Sequence, residues 1–246
     1  MKTPIFIGCA LFFASAAQAQ LNAAPSIQSD FKAMSTYGGK NTGYQTIATY
    51  SSGNVKGSQF FYQGFLDGSV TTTSNQVLIG IYQFLFDKVR QEVFITSKSD
   101  TRNPPEVLLA EKQQIKTFTL TTDRDHTFAT ARIYDPTNVN DFYEVLKKDD
   151  SGYTLLKFVK TTFVKMDYRD MEKVKRGDLY DEFVDKVTYL LSYKSGKPTE
   201  ISFKRKNITN AFNADKRTFV DNYFNNHFND EVNEQFLVNL VDAANK

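Results

Sequence analysis

Two histidines, one pair of aspartates and two charged runs are the residues of this chain whose types and spacing could do chemistry. His126 and His227 fall in different elements and lack paired-ligand spacing. A zinc site takes three or four His or Cys ligands, with carboxylates filling in, so each histidine reads as a solvated surface residue. Asp123 and Asp125 have the one-apart spacing of a calcium loop, yet the glycine at its sixth position and the glutamate at its twelfth are missing. That pair reads as a turn whose aspartates bond their own backbone. Asp178, Asp181, Glu182 and Asp185 form an acidic cluster at the entry to a strand. Two carboxylates can divide acid and base work on a glycoside, but only separation and burial make them a pair; the simpler expectation is a solvated strand start. Lys204, Arg205 and Lys206 form a basic run. It could meet anionic lipid or lipopolysaccharide phosphates, and it reads first as the end of a strand and the start of a helix in solvent. No serine sits in a Gly-x-Ser-x-Gly elbow, and no glycine-rich phosphate loop is present. No catalytic, cofactor-binding or metal residue is assigned, and no cofactor is expected.

Composition bounds the rest. The chain has 246 residues, 41% of them hydrophobic, which suffices for a real core. Aromatic residues are 14%, all Phe and Tyr, and these favour strands because flat side chains pack well on a pleated surface. The formal net charge of +2 is too small for a general nucleic-acid binder. The first nineteen residues read as a signal peptide. Lys2 is the basic region, Ile5 to Phe13 the short apolar run, and Ala17-Gln18-Ala19 the small-x-small cleavage site. That run is too short for a permanent membrane anchor. Cleavage after Ala19 leaves Gln20 at the N-terminus and removes Cys9, the one cysteine, so no disulfide or thiol chemistry is expected.

The elements that position these residues begin with an extended arm, 20–57, rich in Ser, Gly, Asn and Thr, in which an edge strand is expected through Tyr44 to Tyr50. An antiparallel β domain follows over 58–206. Its expected strands are Val70 to Thr73, a long run Val77 to Phe86, Lys88 to Thr96, Val107 to Ala110, Ile115 to Thr121 and Thr127 to Tyr134. The stretch from Asp141 to Val164 reads as two strands about the turn Asp149-Asp150-Ser151-Gly152. Apolar residues on both its faces place this hairpin mid-sheet with something packed on each side. Asp167 to Asp178 reads as an exposed connection. Phe183 to Tyr193 and Glu200 to Arg205 pair about Lys194-Ser195-Gly196-Lys197. After Asn207 the period becomes helical. A short helix is expected near Ile208 to Phe212, another through Phe219, Tyr223 and Phe224, and a last one through Phe236, Leu237, Leu240 and Val241, capped by Asn229 or Asp230. The fold class is therefore α+β, mainly β. It is a meander of hairpins, as a curved sheet, sandwich or open barrel, with two or three C-terminal helices (207–246) packed on it.

The order Gly57-Ser58-Gln59-Phe60, Phe65, Gly68 and Val70, the strand pair across Tyr82 to Ile95, Phe142-Tyr143-Glu144-Val145-Leu146 with Leu155-Leu156-Lys157, Tyr189-Leu190-Leu191 and the Lys204-Arg205-Lys206 step resembles a family of uncharacterised secreted proteins common in Bacteroidota. The resemblance implies secretion and brings no activity or site residue with it. The expected function is that of an exported, non-enzymatic envelope protein, periplasmic, outer-membrane-associated or released, that binds or scaffolds. Its partner would be an envelope protein or an apolar ligand, with no nucleic acid and no transmembrane segment in the mature chain. A carrier with an apolar ligand between sheet and helices is one alternative, and a carboxylate-dependent hydrolase another.

Overall fold

The structure, a computed structural model, describes residues 55–101, 107–167, 171, 176 and 180–246. Its larger sheet is built from β1 (Val55–Lys56), β2 (Gly68–Thr72), β3 (Val77–Ile79), β7 (Ile115–Thr121), β8 (Asp125–Thr130), β9 (Phe142–Lys147), β10 (Tyr153–Val164), β11 (Asp181–Tyr193) and β12 (Thr199–Ile201). The order is β1-β11-β10-β9-β8-β7-β2-β3, with β12 also on β11, and the sheet stays open. Every pairing in it is antiparallel except β1 on β11. A smaller sheet holds β4 (Tyr82–Asp87), β5 (Glu92–Ser97) and β6 (Leu108–Leu109) in that order. Three C-terminal helices follow, Arg205–Ala211, Ala214–Asn226 and Glu234–Ala244.

The hairpin β9–β10 lies mid-sheet with an apolar cluster on each face, as its two-sided pattern predicts. On one face two bodies share the cover. The smaller sheet packs over the β2–β3–β7–β8 end, where Phe118 stacks on Phe128 at 4.7 Å and Phe86 leans on both. The helices pack over the β10–β11–β12 end, where Leu155, Leu191 and Ile201 meet Phe236, Leu237 and Leu240. The opposite face carries a smaller cluster of Ala129, Tyr143, Leu156 and neighbours. Close approach of β2 to β7 needs Gly68, because a Cβ there would run into the Thr119 carbonyl.

The β4–β5 turn ties the two sheets together. Asp87 is fully buried, accepting from the backbone N–H groups of Val89 and Arg90 and from Gln59 Nε2. This holds Gln91 at a φ of 55°, a region costly for non-glycine residues. Gln91 Oε1 then accepts from Phe142 N at 3.0 Å, reaching across to β9.

Four expectations are corrected. Val77 to Phe86 is two strands in two sheets, because the chain turns at Gly80, whose φ is 88°. The strand expected through Tyr134 ends at Thr130 and becomes a 3-10 turn over Ala131–Ile133. The strand expected from Glu200 to Arg205 is only Thr199–Ile201, since the helix begins at Arg205. The last helix is capped by Asn233, whose side chain accepts from Phe236 N, rather than by Asn229 or Asp230. The last residues of the expected arm form β1, and Tyr44 to Tyr50 lie outside the described residues. Most of the connection Asp167 to Asp178 lies outside them too.

Candidate functional site: an ionic seam between two packed bodies

Strand register sets up this site. Phe128, Glu144, Lys157, Tyr189 and Ile201 stand directly opposite one another on β8, β9, β10, β11 and β12. One transverse row therefore crosses the covered face. Its ends are apolar, under the smaller sheet and under the helices. Its middle, Glu144, Lys157 and Tyr189, falls between those two apolar ends.

Each polar group there has a partner. His126, two residues before Phe128 and on the same face, places Nδ1 2.8 Å from Glu144 Oε1. Glu144 is buried at 6% exposure. A carboxylate only accepts, so with Glu144 in that form His126 Nδ1 is the donor of this contact. Lys157 Nζ stands 3.9 Å from Glu144 Oε2 and 2.8 Å from Glu234 Oε2. Glu234 opens the last helix, and its carboxylate also accepts from the Tyr189 hydroxyl at 2.8 Å, with Arg124 3.9 Å away. A carboxylate in the first helical turn is further favoured by the helix dipole.

Burial pushes the Glu234 carboxyl up, but hydrogen bonds from Lys157 and Tyr189, with the charges of Lys157 and Arg124, outweigh it and hold the group below its ordinary value. Burial, then the bond to Glu234 and the nearby carboxylates, pushes the Tyr189 phenol well up, so it remains a donor. Beside the seam is a hollow of about 20 Å³ lined by Phe61, Phe86, Phe128, Phe142, Glu144 and Lys157, among others. That is room for about one water, where a small-molecule site takes several hundred Å³.

Chemically the seam can hold charges and fix a histidine tautomer. A glycosidase pair needs one carboxyl kept protonated as the acid. Here both carboxylates flank one lysine, and Glu234 is held ionised.

The sequence-predicted residues fall elsewhere. Asp178 lies outside the described residues. Asp181 accepts from Met166 N, Glu182 stands 3.7 Å from Lys56, and Asp185 pairs with Lys88 at 2.7 Å while accepting from Thr161. These three are spread along one strand, each with its own partner. Lys204, Arg205 and Lys206 are exposed at the step into the first helix, where Arg205 pairs with Asp221. Asp123 and Asp125 accept from Thr122 and Thr121 within a turn. Among the described residues no three His, Cys, Asp or Glu side chains gather as a metal site would need. The expectation of solvated histidines is corrected for His126. His126 is mostly buried against Phe61 and Glu144. His227 stacks on Tyr223 at 4.0 Å and bonds its carbonyl oxygen. A signal for the seam was present in the sequence: Glu144 and Lys157 occupy inward parity positions, in Phe142-x-Glu144-x-Leu146 and Leu155-x-Lys157-x-Val159.

No family model, no curated protein and no solved structure matches this chain. Its role is therefore argued from its own residues. No helix among the described residues is long and apolar enough to cross a membrane.

Proposed function

We propose that this chain is an exported, non-enzymatic protein of the bacterial envelope that binds or scaffolds in the periplasm or at the outer membrane. The observation that carries the non-enzymatic part is the seam. Its carboxylates are spent on Lys157, His126 and Tyr189 at 2.8 to 3.9 Å, beside a hollow of about 20 Å³. These bonds tie the last helix to the sheet. They hold the Glu234 carboxyl ionised beside a hollow smaller than a substrate needs. Export rests on the basic, apolar and small-x-small order of Lys2, Ile5 to Phe13 and Ala17-Gln18-Ala19.

Two measurements test this. The full chain, expressed with a C-terminal tag in a Gram-negative host and fractionated, is expected in the envelope fractions with a mass beginning at Gln20. Retention in the cytoplasm at full length would sink the export reading. The purified protein is then assayed against chromogenic glycosides and esters beside Glu144→Gln. Hydrolysis by the wild type that the variant loses would make the seam catalytic.

A further inference from the structure

The far half of the β10–β11 hairpin runs beyond its neighbours. β9 pairs with β10 only at Leu155 to Lys157, and β12 pairs with β11 only at Tyr189 to Leu191. From there to the tip the two strands form a ribbon, joined at its end by β1. Its two faces differ. On the covered side Thr161 donates to Asp185 at 2.6 Å, Asp185 takes Lys88 at 2.7 Å, and Phe163 meets Phe183 at 5.0 Å. On the other side Lys160 stands directly opposite Lys186, the next rung is Thr162 and Val184, and the next Val164 and Glu182. Lys160, Thr162, Val164, Val184 and Lys186 are all exposed, the two valines at 42% and 44%.

Like charges directly opposite in a sheet repel. Among the described residues neither Lys160 nor Lys186 makes an ion pair that would relieve this repulsion. Glu182, the acidic group of this face, is engaged by Lys56 one strand away. Among the described residues the ribbon therefore presents two ammonium groups without ion-pair partners beside a hydroxyl and two exposed valines.

We propose that this face docks on an anionic lipid bilayer, with Lys160 and Lys186 against headgroup phosphates and Val164 and Val184 at the acyl boundary. The charge complement of paired lysines is an array of phosphates, and that array neutralises the repulsion that folding leaves in place. The valines distinguish a bilayer from a soluble anion, because only a bilayer offers apolar depth beneath the phosphates. The inference names a surface and a partner for the binding role above and rests on that reading for its location. The vesicle test below is independent of export and of catalysis, so its failure leaves those readings standing.

The test is cosedimentation of the purified protein with phosphatidylcholine vesicles, with and without phosphatidylglycerol. Binding is expected to need the anionic lipid and to weaken as salt is raised. Lys186→Ala is expected to weaken it about fivefold, and Lys160→Ala with Lys186→Ala about thirtyfold. Val184→Ser should weaken binding while leaving its salt dependence unchanged. The double lysine variant should unfold at the same temperature as the wild type or higher, since a repulsion is removed; a clearly lower midpoint would make the lysines structural and overturn the proposal. Equal binding of the double variant and the wild type would overturn it too. Competition by inorganic phosphate at concentrations that leave the ionic strength unchanged would reassign the lysines to a soluble anion.

Discussion

Lys157 is the residue on which the seam turns, because it serves two carboxylates from different bodies. Removing a cation from such a site leaves its partners charged and poorly solvated, and that penalty exceeds the worth of the pair itself. Lys157→Met is therefore expected to cost about 3 kcal/mol, the low end of the range for broken buried pairs. Denaturant unfolding measures it. Adding Glu234→Gln should return part of that loss, because the helix then no longer brings an unpaired charge; strict additivity would show that the two do not interact. The same site sets a pH dependence. The folded Glu234 carboxyl lies below its ordinary value of 4.5, so its contribution is complete above about 4.5 and drains away as pH falls through the lower folded value. Wild-type stability should thus fall more steeply below pH 4.5 than that of Glu234→Gln. Parallel acid limbs for the two proteins would contradict this.

The last helix shows how an element is held. Its apolar residues Phe236, Leu237, Leu240 and Val241 are buried against Leu155, Leu191 and Tyr153. A helix this short is marginal alone in water, so packing keeps it folded. Its two ends are pinned as well. Asn233 caps the start, and Asn245 both accepts from Tyr153 N and donates to Tyr153 O. On its outer side Asp242 takes Lys147 and Lys246, whose hydrogen bonds hold its carboxyl at about 2. Phe236→Ala is expected to cost about 3–5 kcal/mol, Asn233→Ala about 1 kcal/mol, and the exposed Asn239→Ala less than about 0.5 kcal/mol. Urea midpoints for the three variants check the order; an Asn233→Ala as mild as Asn239→Ala would mean that the cap contributes nothing.

At the scale of the molecule, two apolar bodies share one sheet face, and a polar seam closes the line between them. Burial and that seam carry the stability, with no cross-link to assist. A chain processed after Ala19 has no cysteine, and calorimetry is expected to find one thermal midpoint with or without reductant. A clear shift on reduction would show that Cys9 is retained and paired between molecules.

The mid-sheet place of the β9–β10 hairpin was legible in the sequence, because apolar residues on both parities admit only a strand covered on both faces. The strand Ile115 to Thr121 and the helical face of Phe236, Leu237, Leu240 and Val241 were legible for the same reason: side-chain period is a local property of the chain. What the sequence left undecided depends on neighbours far along it. Gly80 reads as one more residue of a β-rich run until the smaller sheet is seen to leave there. His126 reads as solvated until the neighbouring strand brings Glu144, eighteen residues on, within 2.8 Å of it. Lys157 reads as a charge in an apolar strand until register sets it opposite Glu144 and the last helix brings Glu234 from the far end of the chain. Periodicity tells which face a side chain takes. Which charges meet on that face is decided by register and packing, and those exist only in the folded molecule.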